Sequence, residues 1–196
     1  MNQHLEIEFK NLLTKEEYDR ILKSEFSDGN EQKITQSNHY FDTKHHELKA
    51  ITSALRIRKT DSFNELTIKS PSQGFLLETN ISLRDNDCSE ILETKQLKLS
   101  DYLQDVEYEN ISKDTIFYLF NHFETVRFEK QVDNHLIVLD QTTFQNGHVD
   151  YELELESTNA TEGKAFFEAY LKGFSIPIRP AKPKIARAVE NTQLFS

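Results

Sequence analysis

The stretch from Leu5 to Lys10 reads LEIEFK and alternates strictly between apolar and charged side chains. The apolar side chains share one parity, and the charged ones, Glu6, Glu8 and Lys10, share the other. A period of two is typical of a β-strand with two different faces. We therefore predict a strand at residues 4–10 with one apolar and one charged face.

The same alternation recurs along the chain in short segments that are β-branched or aromatic on one parity and polar on the other. Only five glycines and four prolines are present, and no segment repeats with a fixed period. Together with residues 4–10, these segments predict about eight strands. The further strands are expected at residues 38–43, 53–60, 63–70, 75–82, 123–132, 134–145 and 148–156.

Helices are predicted between and after these strands. Thr14 and Glu17 have the spacing of a capping box, and a helix of about three turns is expected after them. Between about residues 88 and 121 the spacing becomes helical, with Asp114 as the N-cap of its last part. Two further helices are predicted at Thr161–Gly173 and Lys184–Asn191.

The composition limits the architecture and the function. A chain of 196 residues with 37% hydrophobic content is long enough for one core, so we interpret residues 1–196 as a single domain. It has no apolar run of about 18 residues and no basic-then-apolar leader, which predicts a cytoplasmic protein without membrane contact. The single cysteine, Cys88, excludes an internal disulfide. The net charge of −10 disfavours nucleic acid as a partner.

The charged residues of the predicted strands sort by strand and share one parity within each. They are Glu6, Glu8 and Lys10, then Arg56 and Arg58, Glu65 and Lys69, Glu78, Arg127 and Glu129, and finally Glu152, Glu154 and Glu156. One interpretation is an ordinary solvent-exposed face. However, carboxylates about 7 Å apart on one strand repel each other unless a cation lies near them. Closing about eight strands into a barrel would instead turn this face inward around a charged, water-filled bore.

Several motifs occur in the order typical of one family. LEIEFK contains E-x-E-x-K, and it is followed by YFDT at 40–43, LRIRK at 55–59 and LTIKSP at 66–71. Arg127, the spacing of Asp140 to Glu152 and Glu154, and Lys184 before Arg187 come next. The chain resembles CYTH domains, or triphosphate tunnel metalloenzymes, and is most similar to the small stand-alone CYTH proteins of Gram-positive bacteria. The match is weakest over residues 83–121.

This resemblance implies an α+β fold, with an eight-stranded antiparallel β-barrel tunnel and flanking helices, that binds a triphosphate with Mg²⁺ or Mn²⁺. The implied metal ligands are Glu6, Glu8, Asp140, Glu152 and Glu154. The implied phosphate-binding residues are Lys10, Arg56, Arg58, Lys69, Arg127 and Lys184. The residues implied in catalysis are Glu6, Glu8, Lys10, Lys69 and Tyr40. These roles fit general chemistry, because guanidinium groups bind phosphoryl oxygens in bidentate fashion and Mg²⁺ prefers carboxylates and water.

Alternatives remain at the level of residues and of function. Tyr40 is either a core side chain or a catalytic partner of Lys69, and Glu78 and Glu129 are interpreted as partners of arginines. Lys182 competes with Lys184 for the C-terminal phosphate contact. Metal-dependent hydrolysis of inorganic tripolyphosphate or an organic triphosphate is favoured. A class IV-type adenylate cyclase and a non-catalytic polyphosphate- or nucleotide-binding module are the alternatives, and either a monomer or a homodimer is expected.

The hairpin at Asn146-Gly147 tests the metal assignment. A two-residue turn would pair Gln141 with Glu152 and turn Asp140 to the other face of the sheet. A three-residue loop of 145–147 with a left-handed Gly147 would instead pair Asp140 with Glu152. Because the implied metal site needs these carboxylates on one face, the longer loop is predicted.

Overall fold

The computed structural model describes residues 2–72, 74–102, 112 and 114–193. The strands are β1 (Asn2–Glu6), β2 (Glu8–Leu13), β3 (Gln32–Asp42), β4 (Ala54–Thr60), β5 (Asn64–Ser72), β6 (Phe75–Leu83), β7 (Gln96–Lys98), β8 (Ile116–Val132), β9 (His135–Phe144) and β10 (Val149–Ser157). The helices are α1 (Lys15–Glu25), α2 (Glu47–Ala50), α3 (Asp85–Thr94), α4 (Ala160–Gly173) and α5 (Lys184–Gln193). A short 3₁₀ helix covers Leu99–Asp101.

The strands form one sheet in the order β1-β6-β5-β4-β3-β8-β9-β10-β2, with β7 paired to β8. The pairs β4–β5, β5–β6, β7–β8, β8–β9, β9–β10 and β10–β2 are antiparallel. The α+β class, with an antiparallel sheet and flanking helices, is therefore confirmed. The described strands number ten rather than eight, because the first predicted strand is divided at Ile7 and β7 was not anticipated.

The chain divides into two compact units. Unit 1 consists of Met1–Leu5 and Ser37–His122, and unit 2 consists of Glu6–Gln36 and Phe123–Ser196. The interpretation of residues 1–196 as one domain stays a prediction.

The core of unit 1 lies between one face of its strands and the helices α2 and α3. Its buried members include Leu55 and Ile57 of β4, Leu66 and Ile68 of β5, and Ile91 of α3. Because side chains alternate along a strand, burying these residues leaves the charged parity of β4 and β5 on the opposite face.

The core of unit 2 is built in the same way, with α1 and α4 covering the sheet. Leu153 and Leu155 of β10 and Leu139 of β9 pack with Ile21 of α1 and Phe167 of α4. The charged parity of β9 and β10 therefore lies on the face away from these helices.

The first helix begins as its sequence predicts. The backbone N–H of Glu17 donates to the Thr14 hydroxyl at 3.3 Å, and the Thr14 N–H donates to the Glu17 carboxylate at 2.8 Å. This reciprocal capping box satisfies two N–H groups that would otherwise have no partner in the helix. The helices predicted at Thr161–Gly173 and Lys184–Asn191 are confirmed as α4 and α5 within one or two residues of the expected ends.

The helix predicted behind Asp114 is wrong. Residues from Ile116 onward belong to β8, where Phe117 pairs with Leu97 of β7 and is completely buried. The apolar spacing at 116–120 suits a helix, but pairing with a strand some 20 residues earlier decides the conformation. The part of that prediction at residues 103–111 lies outside the described residues.

Candidate active site

The hairpin between β9 and β10 has the register that the metal assignment requires. Gly147 is left-handed with φ of 80°, its N–H donates to the Phe144 carbonyl, and the Phe144 N–H donates to the His148 carbonyl. Asp140 is therefore paired with Glu152, and the predicted three-residue loop is confirmed. A left-handed glycine at this position is the geometry that such a loop needs.

The strand register places charged residues of unit 2 side by side on one face of four neighbouring strands. Lys10 of β2 pairs with Glu154 of β10, Glu152 pairs with Asp140 of β9, and Asp140 pairs with Arg127 of β8. These residues consequently share one face of the sheet, opposite the face that α1 and α4 cover. Asp140, Glu152, Glu154 and Arg127 are all buried.

Arg127 joins two of the buried carboxylates. Its Nε and Nη2 donate to the two oxygens of Asp140 at 2.9 and 2.7 Å, and Nη2 also donates to Glu154 at 2.9 Å. Burial acts to lower the pKa of Arg127, but Asp140 and Glu154 hold it well above its usual value. Its third nitrogen, Nη1, lies 3.6 Å from Glu129, which agrees with the interpretation of Glu129 as a partner of an arginine.

Lys184, at the start of α5, enters the same cluster. Its Nζ lies 2.9 Å from Asp140, 2.6 Å from Glu152 and 2.6 Å from Glu154. Lys182, in contrast, is largely exposed and pairs with Glu190. The choice of Lys184 over Lys182 as the cation of this cluster therefore fits the structure.

Lys10 completes the set of cations that contact Glu154. Its Nζ lies 2.7 Å from Glu8 and 3.3 Å from Glu154. Burial acts to lower the pKa of Lys10, but Glu154 and Glu8 raise it. Burial raises the pKa of Glu154, but Lys10, Lys184 and Arg127 together hold it well below its usual value. Both partners are therefore charged at neutral pH.

Glu6 and Glu8 lie at the ends of their strands. Glu6 is the last residue of β1 and is half-buried, and Glu8 begins β2 opposite Glu156 of β10. The division of the first predicted strand thus falls between the two glutamates of the E-x-E-x-K motif.

Arg187 and Asp150 belong to this face, although sequence reasoning assigned them no role. Arg187 of α5 donates from Nη1 to Asp150 at 2.8 Å and from Nη2 to Glu152 at 2.5 Å. Asp150 has the same parity on β10 as Glu152 and Glu154. Lys184 and Arg187 are three residues apart on a helix, and this spacing places them on one side of it.

The carboxylates can hold a divalent metal by their chemistry, but cations of the chain lie among them in this structure. Among the described residues there is no group of three or more His, Cys, Asp or Glu side chains already arranged around a metal position. The physical reason is that Lys184 lies between Asp140, Glu152 and Glu154. Glu152 Oε1 is nevertheless buried without a hydrogen-bond partner in the described part of the chain. Such an oxygen is a hard donor of the kind that Mg²⁺ and Mn²⁺ prefer, so the residues fit the metal.

Unit 1 contains the other predicted site residues, Tyr40, Arg56, Arg58 and Lys69. Arg56 is buried and donates to the Thr67 hydroxyl at 3.1 Å, and Arg58 donates to the Asn38 side-chain oxygen at 3.3 Å. Burial acts to lower the pKa of Arg56, but Tyr40 and Glu78 raise it above its usual value. Tyr40 itself is buried.

Lys69 and Glu78 form an ion pair of 2.8 Å on neighbouring strands of unit 1. Burial raises the pKa of Glu78, but Lys69 and then Arg56 lower it to about 2. The interpretation from sequence makes Glu78 a partner of arginines, but its direct ion pair is with Lys69, and Arg56 acts on its pKa as a further nearby charge.

Comparisons with known proteins show the family to which this chain belongs. A model of the CYTH domain matches residues 4–189. The chain belongs to the CYTH domain family. A protein of Bacillus subtilis (strain 168), named "Putative triphosphatase YjbK", is 39% identical over 196 residues, and the match covers 97% of each chain. The resemblance to small stand-alone CYTH proteins of Gram-positive bacteria is thus confirmed.

Solved structures of other proteins share this CYTH fold. A Bacillus halodurans protein described as a putative adenylate cyclase is 30% identical, with a TM-score of 0.81 and 100% of both chains covered. The HpAC1 protein of Hippeastrum is 23% identical, with a TM-score of 0.78 and 95% of each chain covered. In the part of this chain that the structure describes, no helix is both long and apolar enough to cross a membrane.

Proposed function

We propose that this CYTH protein hydrolyses a triphosphate, either inorganic tripolyphosphate or an organic triphosphate, with Mg²⁺ or Mn²⁺ as its cofactor. The observation that carries the proposal is the charged face of unit 2, where carboxylates outnumber cations among the described side chains. The cations are Lys10, Arg127, Lys184 and Arg187, and the carboxylates are Glu8, Glu129, Asp140, Asp150, Glu152, Glu154 and Glu156. Asp140, Glu152 and Glu154 of this set are buried, and the others are half-buried. A bound cation would stabilise such an excess of negative charge.

The proposed metal ligands are Glu6, Glu8, Asp140, Glu152 and Glu154. A divalent cation held there would polarise phosphoryl oxygens and lower the pKa of an attacking water. Glu152 contributes a buried oxygen without a hydrogen-bond partner in the described residues, which supports its place in the set. The name of the Bacillus subtilis relative, "Putative triphosphatase YjbK", supports the reaction.

The proposed phosphate ligands in unit 2 are Lys10, Arg127 and Lys184. Glu154 and Glu8 raise the pKa of Lys10 despite its burial, so Lys10 is protonated at neutral pH and can donate to a phosphate oxygen. In Arg127, Nε and Nη2 are used by Asp140 and Glu154, whereas Nη1 is beyond hydrogen-bond distance of Glu129. Nη1 is therefore the nitrogen of Arg127 that we expect to contact phosphate.

The proposed phosphate ligands in unit 1 are Arg56, Arg58 and Lys69, with Tyr40 as a catalytic partner of Lys69. Arg56 Nε is buried without a hydrogen-bond partner among the described residues, which supports an anion as its ligand. A cytoplasmic location and a monomeric or homodimeric state are further proposals that rest on the sequence.

An adenylate cyclase is the second candidate, because the Bacillus halodurans structure described as such is 30% identical over the whole chain. The two reactions differ in the nucleophile, which is water in one and the ribose 3′-oxygen in the other. Phosphate release and cyclic AMP formation should be measured side by side with tripolyphosphate, ATP and other triphosphates, using Mg²⁺ or Mn²⁺. We expect phosphate release. Cyclic AMP as the main product from ATP would favour the cyclase. If neither product forms from any triphosphate, the result would favour a non-catalytic binding module.

The arginines of β4 provide a separate test of phosphate binding. Replacing Arg56 or Arg58 with alanine is expected to weaken binding of tripolyphosphate about 10- to 100-fold, since each guanidinium offers bidentate contacts to phosphoryl oxygens. The measurement is the rise in melting temperature that tripolyphosphate with Mg²⁺ produces, because a ligand stabilises the folded state by RT ln(1 + [L]/Kd), which falls as the affinity falls. Arg84→Ala is the matched control, since Arg84 is an exposed arginine of unit 1 that pairs with Asp87. A ligand-induced rise as large in the β4 variants as in wild type would remove both arginines from the site.

A further inference from the structure

Two charged side chains outside the proposed ligand set, Asp150 and Arg187, are linked to Glu152. Asp150 contacts Arg187, and Arg187 contacts Glu152. Asp150 accepts from Arg187 Nη1, and Arg187 Nη2 donates to Glu152 Oε2. Lys184 Nζ lies 2.6 Å from the same Oε2. One oxygen of Glu152 is thus held twice from α5, and the other, Oε1, is buried without a hydrogen-bond partner in the described residues.

We propose that Arg187 and Asp150 are positioning residues that orient Glu152 so that its Oε1 points at the metal. This inference rests on the proposed function, since it assumes that Glu152 is a metal ligand. Arg187 is 7% exposed and its two terminal nitrogens contact carboxylates, one of them Glu152, which places it as a residue that acts through Glu152. Its Nε and the Oδ1 of Asp150 are also buried without a hydrogen-bond partner among the described residues. A guanidinium suits this role because its rigid planar fork can bridge two carboxylates with fixed geometry.

Asp150 fixes the orientation of the Arg187 guanidinium. Without it, the guanidinium could rotate toward Glu152 alone and pair with both of its oxygens, which would cover Oε1. With Asp150 at 2.8 Å from Nη1, only Nη2 reaches Glu152. Partners of metal ligands that fix ligand orientation in this way change metal affinity about 10- to 100-fold when they are removed.

A role as a mere counterion predicts the opposite result. If Arg187 only neutralised Glu152, then removing its charge would leave more negative charge at the site and strengthen binding of a divalent cation. If Arg187 positions Glu152, removing it weakens binding. The sign of the change in metal affinity therefore distinguishes the two roles.

The decisive variant is Arg187→Lys, which keeps the charge but lacks the planar fork that holds two carboxylates in one fixed geometry. We expect it to weaken Mn²⁺ binding about 10-fold or more, measured without substrate by calorimetry and by the electron paramagnetic resonance signal of free Mn²⁺. Arg187→Met is expected to weaken binding by a smaller factor, because the loss of a positive charge partly offsets the loss of orientation, and Asp150→Asn is expected to weaken it less than Arg187→Lys does. Arg179→Lys is the matched control, because Arg179 binds both oxygens of Glu17 in unit 2 in a similar bidentate pair.

The stability of each variant is measured separately, so that partial unfolding is not mistaken for a loss of metal affinity. Thermal unfolding of each metal-free variant gives its melting temperature, and binding is measured well below the lowest of them. If wild type binds Mn²⁺ and Arg187→Lys binds it within about twofold, or Arg187→Met binds it more tightly, the positioning role is wrong while the proposed function stands. If wild type itself binds no Mn²⁺, with or without tripolyphosphate, the proposed function is wrong and this inference falls with it.

Discussion

Replacing Glu154 with glutamine is expected to reduce triphosphate hydrolysis on the order of 10³-fold or more. Glu154 is 3% exposed and contacts Lys10, Arg127 and Lys184, so it holds three of the proposed phosphate-binding cations. Glutamine keeps the shape of the side chain but removes its charge. The substitution thus removes a proposed metal ligand and also releases the cations that it orders.

The measurement is turnover at saturating Mg²⁺ and Mn²⁺, together with Mn²⁺ affinity. Breaking a buried ion pair costs about 3–5 kcal/mol, so unfolding of the variant is followed as well, and activity is assayed where it remains folded. Glu8→Gln is expected to show the same loss of turnover with a smaller effect on stability, because Glu8 contacts Lys10 at the edge of the cluster. Glu168→Gln, on the exposed side of α4, serves as the control. Near-normal turnover in folded Glu154→Gln would show that this face is not the site of reaction.

The charged face of unit 2 could be predicted from sequence because alternation in strands is a local property. The parity of Glu152 and Glu154 follows from β10 alone, and the apolar Leu153 and Leu155 of the other parity indicate which face packs against the helices. The register of β9 against β10 is less local, because an Asn-Gly pair ordinarily favours a two-residue turn. Only the requirement that Asp140 share a face with Glu152 selected the longer loop, and the structure confirms it.

Long-range contacts account for what the sequence did not predict. The apolar spacing at Ile116–Phe120 fits a helix, but hydrogen bonds to β7 make it a strand. Likewise, the spacing of Lys184 and Arg187 places both on one side of α5, but it does not show which carboxylates that side contacts. The roles of Arg187 and Asp150 depend on how α5 docks against β10, which is a tertiary property. Local pattern therefore placed the charged strand residues on one face, and the resemblance to CYTH domains selected the proposed ligands. The docking of α5 was needed to identify the residues that we propose to orient them.

Replacement of Lys184 is the second change for which we expect a large effect. Lys184 has two proposed roles, and its loss is expected to strengthen metal binding but to weaken phosphate binding. Its Nζ lies within 3 Å of Asp140, Glu152 and Glu154, where a divalent cation would otherwise be attracted. These carboxylates raise its pKa well above the usual value despite burial, which acts to lower it. We therefore expect Lys184 to compete with the metal in the absence of substrate and to bind a phosphate oxygen when substrate is present.

Replacing Lys184 with methionine is accordingly expected to tighten Mn²⁺ binding about 10-fold in the absence of substrate, since one positive charge leaves the site. The same change is expected to raise KM for tripolyphosphate about 100-fold, because a buried charged donor to phosphate is lost. Lys182→Met, which removes an exposed lysine two residues away, is the control for both measurements. Tighter metal binding in Lys184→Met, with weaker binding in Arg187→Met, would separate the two cations of α5 by the sign of their effects. A loss of Mn²⁺ affinity in Lys184→Met would instead mean that its ammonium group orders the carboxylates and does not compete with the metal.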